Sequence, residues 1–194
     1  MSENLIDTVQ PLPKNIVEGL IFSAMTEILG AQDATEAVQH FHGRTLDDLH
    51  QACGSLYGVA SGCGLVMRIG RAFFRQLVLS GEEVSPLYNP QFRFQGLSKK
   101  APLGLTMLAK MLGDLPGESV QVSTAADGYH WQVDGCAEAQ ETAPELPGCA
   151  FQMGVLQEFM SWIGSGRMYL VEQLAMTAGA RATCTICINT SAVE

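Results

Sequence analysis

Apolar residues recur at helical spacing through much of the first half of the chain and again near residue 155. This spacing gathers the apolar side chains on one face of a helix, which can then pack on a core. Glycine residues follow most of these segments and mark where each helix ends. The predicted helices cover residues 16–29, 34–41, 45–79 (which its glycines can break once), 103–112 and 151–163.

Two later stretches alternate apolar and polar residues, as strands do. The first spans 120–133 and has a turn at Asp127–Gly128, and the second spans 167–189 around residues 178–180. Each stretch predicts an antiparallel hairpin. The order of elements therefore predicts an α+β fold in which helices pack on an antiparallel sheet made of two hairpins.

The segments outside these elements set the domain boundaries. Residues 1–14 are polar and contain Pro11 and Pro13, so we expect a disordered lead-in, followed by a single domain over residues 15–190. Residues 80–100 carry two prolines and predict a loop. Its aromatic residues suggest that it folds over something apolar: Tyr88, Phe92 and Phe94.

Glycine recurs every fourth residue in the middle of the chain, at Gly54, Gly58, Gly62 and, after one interruption, Gly70. Residues four apart lie on one face of a helix, and each interior glycine costs about 1 kcal/mol relative to alanine. A face without side chains allows a neighbouring backbone or a flat ligand to approach closely. The stripe predicts a specialised packing face.

The composition is apolar for a protein with no export signal. Hydrophobic residues make up 47% of the 194 residues and charged residues 16%. We expect part of the surface to be covered by a second copy of the chain, which predicts a homodimer.

Charge and hydropathy argue against nucleic acid as a partner and against a membrane-spanning segment. The formal net charge of −9 argues against binding to a nucleic-acid backbone, which needs a basic surface. The longest uncharged run, residues 51–67, is too short and too rich in glycine to span a membrane. The N-terminus has no basic region followed by an apolar stretch, so we expect a cytoplasmic protein with reduced cysteines.

Glu172 is the most unusual single residue. Strand alternation places it on the same face as Leu170 and Leu174, where a carboxylate must be paired, ligand-bound or neutral. Three interpretations remain open: a buried ion pair with Arg68 or Arg71, exposure on an edge strand, or a role in binding a ligand or metal.

The cysteines offer a second candidate site. Cys184 and Cys187 have CxxC spacing, but residues three apart on a strand face opposite sides, so this pair is not a metal or redox motif. Cys136 and Cys149 flank a loop, and Cys184 lies on the last strand, so the three can converge. Thiolates and a carboxylate could hold zinc there. The alternative is that they are buried thiols acting as small hydrophobes.

The order of these features resembles the 4-vinyl reductase, or hydrocarbon-binding, domain family. The resemblance covers residues 15–190 and rests first on GLIFSAMTEILG and LYGVASGCGLVMRIGRAFFRQL. It continues with WQVDGC, the proline loop before Cys149, the helix with Trp162, and the Glu172 strand followed by Gly179 and Cys184. The family shares its fold with TRAPP vesicle-tethering subunits and haem nitric-oxide sensors.

The resemblance implies a TRAPP-like, frequently dimeric α+β domain with a pocket for a small apolar, aromatic or tetrapyrrole ligand. We expect a binding or sensory domain rather than an enzyme. The alternatives are an accessory factor or reductase for a vinyl group in bacteriochlorophyll synthesis, and a dimeric assembly module. The expected ligand contacts are Arg68, Arg71, Phe73, Phe74, Trp162 and Glu172.

The family also suggests zinc as a cofactor, bound by a glutamate and cysteines of the C-terminal hairpin. The corresponding set here is Cys136, Cys149, Glu172 and Cys184. This chain departs from the family pattern at Ala139 and Ala175, where the family places further cysteines.

Overall fold

The computed structural model of the protein describes residues 6–40, 46–81, 85–113, 119–136, 148–177 and 182–193. These residues form helices packed on one four-stranded antiparallel sheet, so the predicted α+β class is confirmed. The helices are α1 (Lys14–Leu29), α2 (Ala31–His40), α3 (Leu46–Tyr57), α4 (Val59–Leu79), α5 (Pro90–Arg93), α6 (Leu97–Leu112) and α7 (Ala150–Ile163). The strands are β1 (Ser119–Ala125), β2 (Gly128–Asp134), β3 (Tyr169–Thr177) and β4 (Thr183–Ala192).

Helices α4 and α7 form the centre of the domain. Helix α4 packs on α7, α1 and α3, while α7 also contacts β3 and α6 contacts β1. The buried faces of α4 and α7 carry large aromatic side chains, including Phe73, Phe74 and Phe159, each at most 1% exposed. Helices α6 and α7 therefore join the helical layer to the sheet.

The sheet has the strand order β1-β2-β4-β3, so each predicted hairpin supplies two neighbouring strands. The hairpins meet where β2 pairs with β4. The inner face of the sheet carries Trp131, Val133, Val171 and Ile186, all of which are buried. Because side chains alternate along a strand, the residues between them form an outer face, on which Leu170 is exposed.

Gly58 breaks the predicted helix 45–79 into α3 and α4. Its φ is 82°, which glycine adopts without the strain that a side chain would bring. After the break, α4 turns back against the end of α3, and a Cβ at Gly62 would lie only 2.7 Å from the backbone nitrogen of Gly54. The glycine stripe is thus used here for close backbone packing.

The predicted loop over residues 80–100 is wrong at its C-terminal end, because α6 already begins at Leu97. Pro102 lies inside this helix, where it lacks the N–H that an ordinary residue would donate. Residues 90–93 also form a helix, α5, where a loop was predicted. Of the three aromatic residues expected to fold over something apolar, Phe92 is fully buried, whereas Tyr88 and Phe94 are 39% and 90% exposed.

The described part of the predicted lead-in packs against the domain. Val9 is buried, and the backbone nitrogen of Leu12 donates to the carbonyl oxygen of Met111 at 3.0 Å. Lys110 Nζ donates to the carbonyl oxygen of Ile6, also at 3.0 Å. Residues 6–13 therefore contact the domain in this structure, while residues 1–5 lie outside the described part.

Candidate functional site

Helices α4 and α7 cross with their backbones in direct contact. A Cβ at Gly70 would lie 3.0 Å from the backbone carbon of Phe151, and one at Gly154 would lie 2.9 Å from that of Met67. Each glycine therefore accommodates the backbone of the opposite helix. This crossing places the aromatic residues of both helices in one cluster.

The aromatic cluster extends from α4 through α7 to α5. Phe74 makes edge contacts with Phe159 and Trp162, each at a centroid distance of 5.8 Å. Phe92 stacks on Trp162 at 6.1 Å with an interplanar angle of 10°. Phe74 and Phe92 are buried, whereas Trp162 is half-buried and lies at the edge of the cluster. Three predicted ligand residues, Phe73, Phe74 and Trp162, thus pack within the protein itself.

The predicted arginines lie on the exposed side of α4. Arg71 Nε donates to Glu158 at 2.9 Å, and Arg75 forms ion pairs with both Glu158 and Glu27. The hydrogen bond from Arg75 holds the pKa of Glu27 below its usual value. Arg68 is exposed. The two predicted arginines are thus exposed, whereas Phe73 and Phe74 are buried in the core.

Glu172 lies on the outer face of the edge strand β3. It is exposed, and its neighbours on that strand, Leu170 and Leu174, are 45% and 52% exposed. The interpretation as a buried ion pair is therefore wrong for this structure, since Arg71 pairs with Glu158 instead. Edge-strand exposure is the alternative that the structure shows.

The predicted zinc ligands divide between the two faces of the sheet. Cys136 and Cys149 are buried with their sulfur atoms 2.8 Å apart, and Cys184 is buried on the inner face opposite Val133. Glu172 is on the outer face, opposite Cys187. This structure therefore does not bring the four residues together around one ion, although it does bring the first two cysteines into contact.

Cys187 has a different environment from Cys184, as predicted from their spacing. Its sulfur atom donates a hydrogen bond to Asp127 Oδ2 at 3.3 Å. Burial, together with this hydrogen bond, raises the pKa of Cys187 to about 11. The two cysteines accordingly belong to opposite faces of β4.

A cleft opens between α6 and β1. Its volume is about 340 Å³, which falls within the range of small-molecule sites. Its walls combine short apolar side chains with one hydroxyl and one ammonium group: Thr106, Ala109, Lys110, Gly113, Val120 and Val122. None of these residues was predicted, because the cleft depends on how α6 meets the sheet.

The comparisons with known proteins identify the fold. No family model matches the chain, and no curated protein matches it. Solved structures of H-NOX domains do match. One is an oxygen-binding H-NOX domain related to soluble guanylate cyclases, in its oxygen complex, with a TM-score of 0.61 and 9% identity over 94% of this chain and 97% of that one. Another, from work on haem distortion in the H-NOX family, has a TM-score of 0.62 and 8% identity over the same shares.

These matches show that the chain has an H-NOX-like fold. That is the fold class which the sequence resemblance implied, but the matches do not support membership of the 4-vinyl reductase family itself. Among the described helices, none is both long and apolar enough to cross a membrane.

The described residues do not fit a haem in the helical core. The rings of Phe73 and Phe151 make an edge contact at 5.3 Å, and a Cβ at Gly104 of α6 would meet the ring of Phe159 at 2.5 Å. A haem between α4, α6 and α7 would have to displace these rings. It would also need an axial ligand, and of the described histidine side chains His130 is on the outer face of β2 and His50 on α3.

Proposed function

We propose that this protein is a small-molecule-binding, sensory domain without catalysis of its own, and that its ligand is apolar or aromatic. The observation that carries the proposal is the H-NOX-like fold over 94% of the chain, shared with a domain described as oxygen-binding. The packed aromatic core distinguishes this chain from a haem protein. A tetrapyrrole, the ligand class added by the resemblance to 4-vinyl reductase domains, would have to bind elsewhere.

We place the ligand in the cleft between α6 and β1. Val120 and Val122 supply apolar contacts from the sheet, and Ala109 supplies one from the helix. Lys110 adds positive charge, and its ammonium group already donates to Ile6. The cleft therefore offers apolar contacts beside one positive charge, which an aromatic compound with an anionic group could use. A role in vinyl-group reduction gains no support from this arrangement.

Native mass spectrometry of the purified full chain tests the proposal first, because a bound apolar ligand appears as a stoichiometric adduct. Thermal unfolding should then be measured with naphthalene, 1-naphthoate and protoporphyrin IX added separately. We expect 1-naphthoate to raise the melting temperature most, since it combines an aromatic body with a carboxylate. If no adduct is found and none of the three compounds shifts the melting temperature, the proposal fails.

A pair of variants on β1 tests whether the ligand binds in the cleft. Val122→Trp fills the cleft, whereas Gln121→Trp adds the same side chain at an exposed position of the same strand. We expect Val122→Trp to abolish the shift caused by 1-naphthoate and Gln121→Trp to retain it. Equal binding by both variants would place the ligand outside the cleft.

A second candidate function is assembly as a homodimer, and the outer face of β3 favours it. Leu170 and Leu174 on this edge strand are 45% and 52% exposed, and Met168, directly before the strand, is 73% exposed. Exposed apolar residues grouped in this way are typical of an interaction surface. A second copy packing on this face would bury them, as the apolar composition suggests.

Sedimentation of the purified chain tests the dimer. We expect a dimer that Leu174→Glu converts to a monomer. Phe94→Glu is the control, because Phe94 directly follows α5 and is 90% exposed, and this variant should remain a dimer. A monomeric native chain at micromolar concentration would contradict this proposal without affecting ligand binding in the cleft.

A further inference from the structure

Three strands place chemically active side chains in one row on the outer face of the sheet. His130 on β2 pairs with Cys187 on β4, and Cys187 pairs with Glu172 on β3. Directly paired residues in antiparallel strands have their Cβ atoms about 4.5–5.5 Å apart. The row is separate from the cleft between α6 and β1 and from the paired thiols Cys136 and Cys149.

The turn before β2 brings a fourth side chain to this row. Asp127 precedes His130 by three residues, and Gly128 between them allows the end of the hairpin to lie against β4. A Cβ at Gly128 would be 3.1 Å from the backbone carbon of Ile188. The turn thereby places the Asp127 carboxylate over Cys187.

The three donor atoms are already close to the arrangement of a metal site. Cys187 Sγ is 3.3 Å from Asp127 Oδ2, and His130 Nε2 is 3.6 Å from Asp127 Oδ1. All three residues offer one ligand atom within 4.8 Å of the others. Zinc bonds of about 2.0–2.3 Å at tetrahedral angles separate neighbouring ligands by roughly 3.3–3.6 Å. Only small side-chain movements would therefore be needed.

His130 Nε2 supplies a second indication. This nitrogen is buried, and within the described ranges it makes no hydrogen bond, its contact with Asp127 Oδ1 being the ion-pair distance of 3.6 Å. A buried polar atom without a hydrogen bond is costly, and coordination of a cation by its lone pair would remove that cost. Since Asp127 Oδ1 is nearby, the nitrogen is oriented toward the same space as the other two donors.

We propose that Asp127, His130 and Cys187 bind one zinc ion on the outer face of the sheet. Glu172 lies outside this group of three but pairs with Cys187, and its carboxylate would turn toward the ion as the fourth ligand. One thiolate, one imidazole and carboxylate oxygens are a donor set that zinc accepts. The ion would fasten the β1–β2 turn to β4 and β3. On binding, the thiol proton of Cys187 passes to solvent, and the Cys187 sulfur atom becomes a ligand.

Zinc titration of the reduced, chelator-treated full chain tests the site. We expect one zinc per chain, and Co²⁺ in its place should show the charge-transfer absorption of a cobalt–thiolate bond. Cys187→Ser and His130→Gln should each weaken zinc binding by more than about tenfold, the loss seen even for residues that only support a metal ligand. Cys136→Ser is the matched control, because it removes a buried thiol outside this row and should retain the zinc.

The variants distinguish zinc bound at this row from zinc bound elsewhere on the protein. Zinc binding that survives both Cys187→Ser and His130→Gln, or that disappears in Cys136→Ser, would overturn the proposal. Circular dichroism of each variant without metal checks folding, and if Cys187→Ser is unfolded, the cobalt spectrum of the native chain and the His130→Gln titration still decide. Unchanged affinity in Glu172→Gln would refute the assignment of the fourth ligand.

Discussion

Gly154 of α7 lies directly against the carbonyl group of Met67 on α4, leaving no space for a methyl group between the helices. A Cβ at position 154 would also be 3.0 Å from the backbone nitrogen of Arg71. Gly70 makes the reciprocal contact with Phe151. The two helices therefore cross at a distance that only glycine allows, and this crossing positions α7 against the sheet.

Replacing Gly154 by alanine should destabilise the protein, because backbone atoms cannot move aside as a flexible side chain can. We expect a loss of about 2–3 kcal/mol in the free energy of unfolding, measured by chemical denaturation. Gly64 on α4 is the matched control, since a Cβ there meets nothing within 4 Å. Gly64→Ala should stabilise by about 0.5–1 kcal/mol through helix propensity. Equal stability of Gly154→Ala and the native chain would show that the crossing is looser than described.

One side of this crossing could be predicted from the sequence, and the other could not. Gly70 belongs to a periodic stripe within a single segment, so the spacing alone indicated close packing. Gly154 stands alone in its helix and shows no period. Its role depends on which helix crosses α7 there, and that depends on the tertiary structure.

The candidate sites likewise depend on tertiary contacts that the sequence pattern does not show. Alternation correctly grouped Glu172 with Leu170 and Leu174, but it could not reveal which face of the sheet the helices cover. The helical period could have separated Arg71 from Phe73, which is two residues along α4, but not from Phe74, which is three residues along and so lies near the same side of the helix. The row from His130 to Cys187 required the strand register, although the Asp127-Gly128-Tyr129-His130 turn was visible as a local signal.

Phe92 should contribute strongly to stability because it is fully buried and stacks on Trp162. We expect Phe92→Ala to cost about 3–5 kcal/mol in the free energy of unfolding and to change the fluorescence of Trp162. Phe94 lies two residues along and is 90% exposed. Phe94→Ala should therefore leave both stability and fluorescence nearly unchanged, and similar losses in the two variants would contradict this packing.

The ion pair between Glu27 and Arg75 should make a small part of the stability depend on acid pH. The pKa of Glu27 is lowered in the folded chain, chiefly by the hydrogen bond from Arg75. A lowered pKa stabilises the fold above the usual value of 4.5, and this contribution is lost as the pH falls through the folded-state pKa.

We expect Glu27→Gln to reduce the free energy of unfolding at pH 7 by less than about 1 kcal/mol, because the pair is partly exposed. The difference from the native chain should shrink as the pH falls below the usual glutamate pKa. Glu18→Gln, on the same helix in an exposed pair with Lys14, is the control and should show little effect at any pH. A constant difference across the whole range would argue against the ion pair.

Tyr57 and Asp33 link the end of α3 to α2 through a hydrogen bond from the phenol to the carboxylate. This bond, more than burial, raises the pKa of Tyr57 from 10.0 to about 12. The bond should stabilise the fold fully below pH 10 and lose its effect as the pH rises through the folded-state pKa.

Tyrosinate absorbance of the native chain minus that of Tyr57→Phe should therefore show one step near pH 12. The same difference is then measured between Asp33→Asn and the double variant Asp33→Asn/Tyr57→Phe, and here the step should move toward pH 10. Circular dichroism checks that each variant is still folded. A native-chain step already near pH 10 would show that the phenol does not donate to Asp33 in solution.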